Sequence, residues 1–146
     1  MRSVMLIGVL AAALLGAPAA PAAAQTGYVV IVNAKNPVAT ISAAEVSNLF
    51  LRKVSRWNGG GDVQPVDLPD GSPVRERFSE DVHGKAVAAI RAFWQRQIFS
   101  GRAVPPVEKG SEAEVLDYVQ ANVNAIGYVG ASTRLEAGVK AVAITQ

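Results

Sequence analysis

Residues 28–32 read YVVIV, an unbroken run of β-branched and aromatic side chains. A strand with one wet face alternates apolar with polar residues, so a continuous run needs cover on both faces. The fold must therefore place a layer above and a layer below a sheet that passes through this segment. The turn at residues 33–37 (NAKNP) ends the run.

The segments that follow supply those layers. Ser42 and Glu45 have capping-box spacing, with Ile41 before the cap and Val46 beyond it as a staple pair. They open a helix over residues 43–51 that turns Val46, Leu49 and Phe50 to the core, and Trp57 closes its end. NGGGD at 58–62 is a turn. Residues 63–68 (VQPVDL) alternate as a short strand, and Pro65, which cannot donate, asks for an edge or bulged position. Ser72 then Pro73 is an N-cap hydroxyl followed by proline at the first helical position. That helix is expected to reach about Val82 with Val74 and Phe78 inward, and Gly84 stops it. A longer helix over 85–98 carries Val87, Ile90, Phe93, Trp94 and Ile98 as an apolar stripe. After a loop at 100–106, Ser111 and Glu114 form a second capping-box pattern, with Val115, Leu116 and Val119 inward. Residues 125–129 and 139–144 read as the last strands; Gly127, inside its strand, implies close approach of another backbone or a ligand. Strands and helices alternate, which predicts an α/β fold: a small mixed sheet with helices on both faces.

The first residues are expected not to join that fold. Arg2, the apolar run from Val4 to Leu15 and the small residues Ala22, Ala23 and Ala24 have the form of a secretory signal peptide over residues 1–24. The competing reading, a membrane anchor, is opposed by the shortness of the run and by Pro18 and Pro21 after it. Residues 25–146 are then one domain, exported to the periplasm or secreted, with no membrane insertion after leader removal.

Composition narrows the chemistry. The 14 basic and 12 acidic residues form no block, so nucleic-acid binding driven by bulk charge is not expected. The absence of cysteine excludes disulfides, thiolate catalysis and lipidation of the mature N-terminus. A single histidine, His83, excludes a multi-histidine metal site. None of Ser72, Ser79, Ser100 and Ser111 sits in a G-x-S-x-G elbow. A triad of Ser72, His83 and Asp81 or Asp67 can be drawn, but His83 before Gly84 is better read as a polar cap. Glu76 and Glu80, alternating with Arg75 and Arg77, read as a solvated helix face. No catalytic residue, cofactor or metal is assigned, and the chain is expected not to be an enzyme.

One feature points to a ligand. The helix that starts at Ser72 leaves its first N–H groups unpaired, and its dipole favours an anion. The turn at Asp70 and Gly71 lets backbone approach, Ser72 adds a hydroxyl, Val74 a backbone N–H, and Arg75 a fork donor suited to an oxyanion. A plain cap with a surface arginine explains the same residues, and both readings stay open.

Three ordered segments carry a resemblance. LFLRKVSRW (49–57) has Phe50, Lys53 and Trp57 in place, with Arg52 where glycine is usual. DGSPVRERF (70–78) follows a D-G-S-G-T-T-x-x-F loop at Asp70, Gly71, Ser72 and Phe78, with Pro73, Val74 and Arg75 replacing glycine and two threonines. NAIGYV (124–129) is close to a G-A-I-G-Y-V strand. Together they resemble the phosphate-type periplasmic substrate-binding proteins of ABC transporters. Leu68 stands where that family often has an arginine. The resemblance implies one lobe of a type II periplasmic binding protein. It also implies a non-catalytic role: binding of a small oxyanion such as phosphate at Asp70, Gly71, Ser72, Val74 and Arg75, and an ABC transporter or other envelope protein as partner. The alternative it leaves is a single-lobe scaffold or interaction module that has lost ligand capture.

Overall fold

A computed structural model describes residues 27–146 of the chain, so the expected leader and its cleavage site lie outside the described residues. The YVVIV run forms β1 (Tyr28–Asn33), and its position explains its composition. It is hydrogen-bonded on both sides, antiparallel to β5 (Ala125–Gly130) and to β6 (Val139–Thr145). Val30, Ile31 and Val32 are at most 1% exposed, so consecutive side chains are covered on opposite faces. The sheet has six strands in the order β2-β6-β1-β5-β3-β4, with β2 (Thr40–Ser42) parallel to β6, and β3 (Gln64–Asp67) parallel to both β5 and β4 (Val107–Glu108).

Adjacent residues of β5 show the two layers. A Cβ built on Gly127 would meet Val66 Cγ1 at 2.7 Å and Val115 Cγ1 at 3.0 Å, with Val119 close behind. Val115 and Val119 belong to α4 (Glu112–Ala121), which therefore lies on that face. The close approach at Gly127 is thus by valine side chains, neither a second backbone nor a ligand. The next residue, Tyr128, points the other way and stacks on Phe78 at 3.8 Å with 7° between the rings. Phe78 ends α2 (Pro73–Phe78), and Phe50, 5.8 Å from Tyr128, ends α1 (Ala43–Phe50). The mixed sheet with helices on both faces is as expected.

The helix starts follow the sequence. Ser42 accepts from Glu45 N while Glu45 accepts from Ser42 N, a complete capping box. At α4, Ser111 accepts from Glu114 N, but the Glu114 carboxylate takes Gly110 N instead, one residue earlier than the pattern predicts. Three expectations need correction. The helix expected to reach Val82 changes at Ser79 into a π-helical turn (Ser79–His83), which the Ser79 hydroxyl closes on Lys85 O before Gly84 (φ 63°) stops it. Ile98, expected inward, is 55% exposed, because the last turn of α3 (Val87–Phe99) runs past the body it packs on. β2 and β4 are additional strands, three and two residues long. Pro65 sits inside the sheet, yet its missing N–H does no harm: Gln64 N faces β5, so position 65 faces the other side, which β4 covers only from Val66.

Candidate functional site

β3 delivers the chain to the loop singled out in the sequence. Beyond Asp67 the backbone turns at Pro69–Gly71, where Ser72 N donates to Pro69 O at 2.9 Å. Ser72 caps α2 by accepting from Arg75 N at 3.2 Å, and Pro73 takes the first helical position. A Cβ on Gly71 would meet nothing within 4 Å, so no neighbour demands glycine there. Asp70 and Val74 are half-buried, with Val74 packed against the core. The loop lies at the carboxyl ends of the parallel strands β3, β4 and β5, the customary place for ligands in open α/β sheets.

Arg75 points inward. It is 7% exposed, and its guanidinium is enclosed by acceptors. Nη1 donates to Leu68 O at 2.6 Å and to Glu108 Oε2 at 3.2 Å, and lies 3.0 Å from Asp70 Oδ1. Nη2 is 3.9 Å from Asp67 Oδ2. Asp70 also takes Arg91 Nη1 at 2.8 Å. The cause lies at the end of β3. Asp67 is 8% exposed, and a carboxylate withdrawn from water needs charged and hydrogen-bonding partners. Arg75 supplies the charge and the Tyr128 hydroxyl donates at 2.8 Å. Burial still outweighs them and raises the Asp67 pKa, with Glu108 and Asp70 adding to the rise. Burial likewise pushes the Tyr128 phenol up, beside the Asp67 charge.

The loop is therefore the mouth of a polar network of three acids, Asp67, Asp70 and Glu108, and two arginines, Arg75 and Arg91. An incoming oxyanion would have to displace a carboxylate from Arg75, in a neighbourhood where acids outnumber bases. Donors left for it are the Ser72 hydroxyl proton and early backbone N–H groups such as that of Val74. Sequence reasoning placed Asp70, Gly71, Ser72, Val74 and Arg75 together, and they are together. It did not find Glu108, Arg91 or the Tyr128–Asp67 pair. No local signal marked them: in the alternating segment 63–68 Asp67 reads as an ordinary outward polar position, and only the structure shows it covered.

His83 meets Ser47, not Ser72: its Nδ1 is 2.8 Å from Ser47 Oγ. Ser47 lies in the middle of α1 rather than on a strained turn, and the imidazole packs edge-on against Phe78. Burial first, then the charges of Arg75, Lys53 and Lys85, lower its pKa to about 4. Among the described residues no group of three or more His, Asp or Glu side chains is placed to hold a metal ion. No helix among them is long and apolar enough to cross a membrane.

A family model described as a PBP superfamily domain matches residues 22–145. The chain belongs to the PBP superfamily. No curated protein matches it. Among solved structures, this PBP domain is similar to a phosphate ABC transporter substrate-binding protein with bound phosphate from Clostridium perfringens, at 27% identity and TM-score 0.63, covering 81% of this chain and 44% of that one. It is also similar to an ABC-type phosphate transport receptor from Vibrio cholerae, at 18% identity and TM-score 0.63, covering 81% and 46%. A third likeness is to PstS from Borrelia burgdorferi, at 14% identity and TM-score 0.54, covering 80% and 46%. The chain thus spans less than half the length of the solved structures it matches.

The PBP domain has a second concave feature, at the other end of the sheet. A cleft of about 410 Å³ lies between the β1–β2 connection, one face of α1, the 54–60 loop and Val123–Asn124. These elements meet where β3 and β5 begin, not where they end.

Proposed function

We propose that this chain is an exported, non-catalytic binding module of the PBP type that docks a protein of the cell envelope, and does not enclose a small oxyanion. The observation that carries this reading is the engagement of Arg75 with Leu68 O, Asp70, Glu108 and Asp67. The fork donor of the loop is spent on its own acids. The loop position that often holds an arginine in phosphate-type proteins is Leu68, and Pro73 brings no N–H. Binding an oxyanion with few donors leaves its remaining lone pairs desolvated, which is costly. Against catalysis stand the helix-interior setting of Ser47 and the depressed basicity of His83. Calorimetric titration of the chain with phosphate and with sulfate tests the reading. The expected result is no binding tighter than about 1 mM, roughly −4 kcal/mol. A micromolar phosphate isotherm would overturn it.

A second reading keeps the oxyanion at Asp70, Gly71, Ser72, Val74 and Arg75. It is favoured by the bound phosphate in the Clostridium perfringens protein and by the place of the loop at the carboxyl ends of β3, β4 and β5. In that case phosphate binds and Arg75→Ala, if folded, loses at least about tenfold in affinity, the effect of one charge-assisted bond. The transporter partner belongs with this reading.

A further inference from the structure

The cleft at the far end of the sheet has the size of a ligand site, about 410 Å³. Its walls are mainly apolar: Val38, Leu49, Val54, Trp57 and Val123. Val54 and Val123 stand at its mouth, 44% and 49% exposed. Trp57 is fixed there, because its indole N–H donates to Asn124 O at 3.0 Å. The two charged residues of the lining have polar partners at its edge, and neither is a buried unpaired charge. Glu45 accepts from Ser42 N and Oγ at 2.9 and 2.8 Å, and Arg56 lies 3.4 Å from Asp62. Nothing in the lining asks for a charged ligand.

The rim holds a further element. β2 is the outermost strand of the sheet, and Thr40 lines the cleft. Ala143 N donates to Ala39 O, so in this parallel pair residues 39 and 41 face β6. The N–H and C=O of Thr40 therefore face the open edge. Asn48 and Asn124 also line the cleft. An open strand edge beside an apolar cleft is the arrangement that receives an added strand: backbone bonds give affinity and side chains fill the cleft.

We infer that this cleft is a docking groove for an extended, uncharged segment of a partner polypeptide, which pairs with Thr40 and inserts apolar side chains between Val54, Trp57 and Val123. The inference rests on the reading that the chain docks a protein, and it gives that reading a place away from the 70–75 loop.

The test is titration of the chain with a capped octapeptide of alternating threonine and valine, followed by calorimetry. The expected Kd is tighter than about 1 mM. The same peptide methylated on alternate backbone nitrogens, which cannot pair as a strand, should bind at least about tenfold more weakly. So should the variant Thr40→Pro, which removes an N–H that β6 does not use. Val54→Glu, at an exposed position where folding is not at stake, should weaken binding by a similar factor. The proposal is overturned if the peptide does not bind, if it binds equally to both variants, or if an uncharged disaccharide such as chitobiose fills the cleft while the peptide does not. A parallel phosphate titration separates the two claims. Peptide binding lost in Thr40→Pro supports the groove even where phosphate also binds. Failure of the peptide where phosphate also fails overturns the groove and leaves the docking reading standing.

Discussion

The Tyr128 hydroxyl donates to Asp67 Oδ1 at 2.8 Å and accepts from Leu68 N at 3.3 Å, so one oxygen satisfies a buried carboxylate and a buried amide together. Its ring meanwhile stacks on Phe78. Tyr128→Phe keeps the stack and removes the oxygen, leaving Leu68 N unpaired and Asp67 one donor short. The expected cost is about 1–3 kcal/mol, the penalty for buried polar groups without partners. Urea denaturation measures it; an unchanged midpoint would mean that water reaches the pair.

Arg75 and Arg77 are two residues apart on α2 and should behave in opposite ways. Arg77 pairs with Asp81 at 3.0 Å on an open helix face, and its side chain is 56% exposed. Arg77→Ala should change stability by no more than about 0.5 kcal/mol. Arg75→Ala strands Asp67 in the interior and should cost about 3–5 kcal/mol. Equal midpoints for the two variants would show that Arg75 is no part of the core.

That contrast also marks how far the sequence could be read. The Ser42/Glu45 box, the Ser72-Pro73 start and the YVVIV and AIGYV strands depend on neighbours within a few residues, and they stand where local chemistry puts them. Whether Arg75 turns out to an anion or in to an acid depends on Asp67, Glu108 and Tyr128, up to 53 residues away, which helical periodicity does not report. Arg75 and Arg77 look alike as a string. β2 and β4 escaped because two or three residues carry no period, and β4 exists only where Val107 and Glu108 reach Val66 and Asp67. Ile98 continued an apolar stripe correctly, but the body beneath that stripe ends a turn earlier.

Arg52 stands in the left-handed region at φ 57°, where glycine is at ease, and its Nη1 donates to Val63 O at 3.0 Å. Its buried Nε has no partner. Two effects therefore oppose each other when the side chain is removed. Arg52→Ala loses the bond and keeps the strained backbone, whereas Arg52→Gly loses the bond and relaxes it. Glycine should be the more stable of the two by roughly 1–2 kcal/mol, the left-handed cost of a residue with a Cβ. Thermal unfolding of both proteins decides this, and alanine equal to glycine would show that the backbone at 52 shifts to avoid the strain.

His83 gives the fold a dependence on acid. In the unfolded chain its imidazole titrates near 6.5; in the fold, burial and the nearby cations hold it to about 4. Between those values the unfolded state binds a proton that the folded state refuses, so protons favour unfolding. This contribution is complete above about pH 6.5 and is lost as the pH falls towards 4, to an extent on the order of 2–3 kcal/mol. Asp67 works the other way, because burial raises its pKa and the folded state takes up its proton first on acidification. Wild type alone would mix the two. His83→Gln removes the imidazole and leaves Asp67 in place. Its stability should therefore fall less than that of wild type between about pH 7 and pH 4.5, when each is measured by urea denaturation. Parallel curves for the two proteins would mean that His83 is charged inside the fold, with Ser47 Oγ accepting from Nδ1 rather than donating to it.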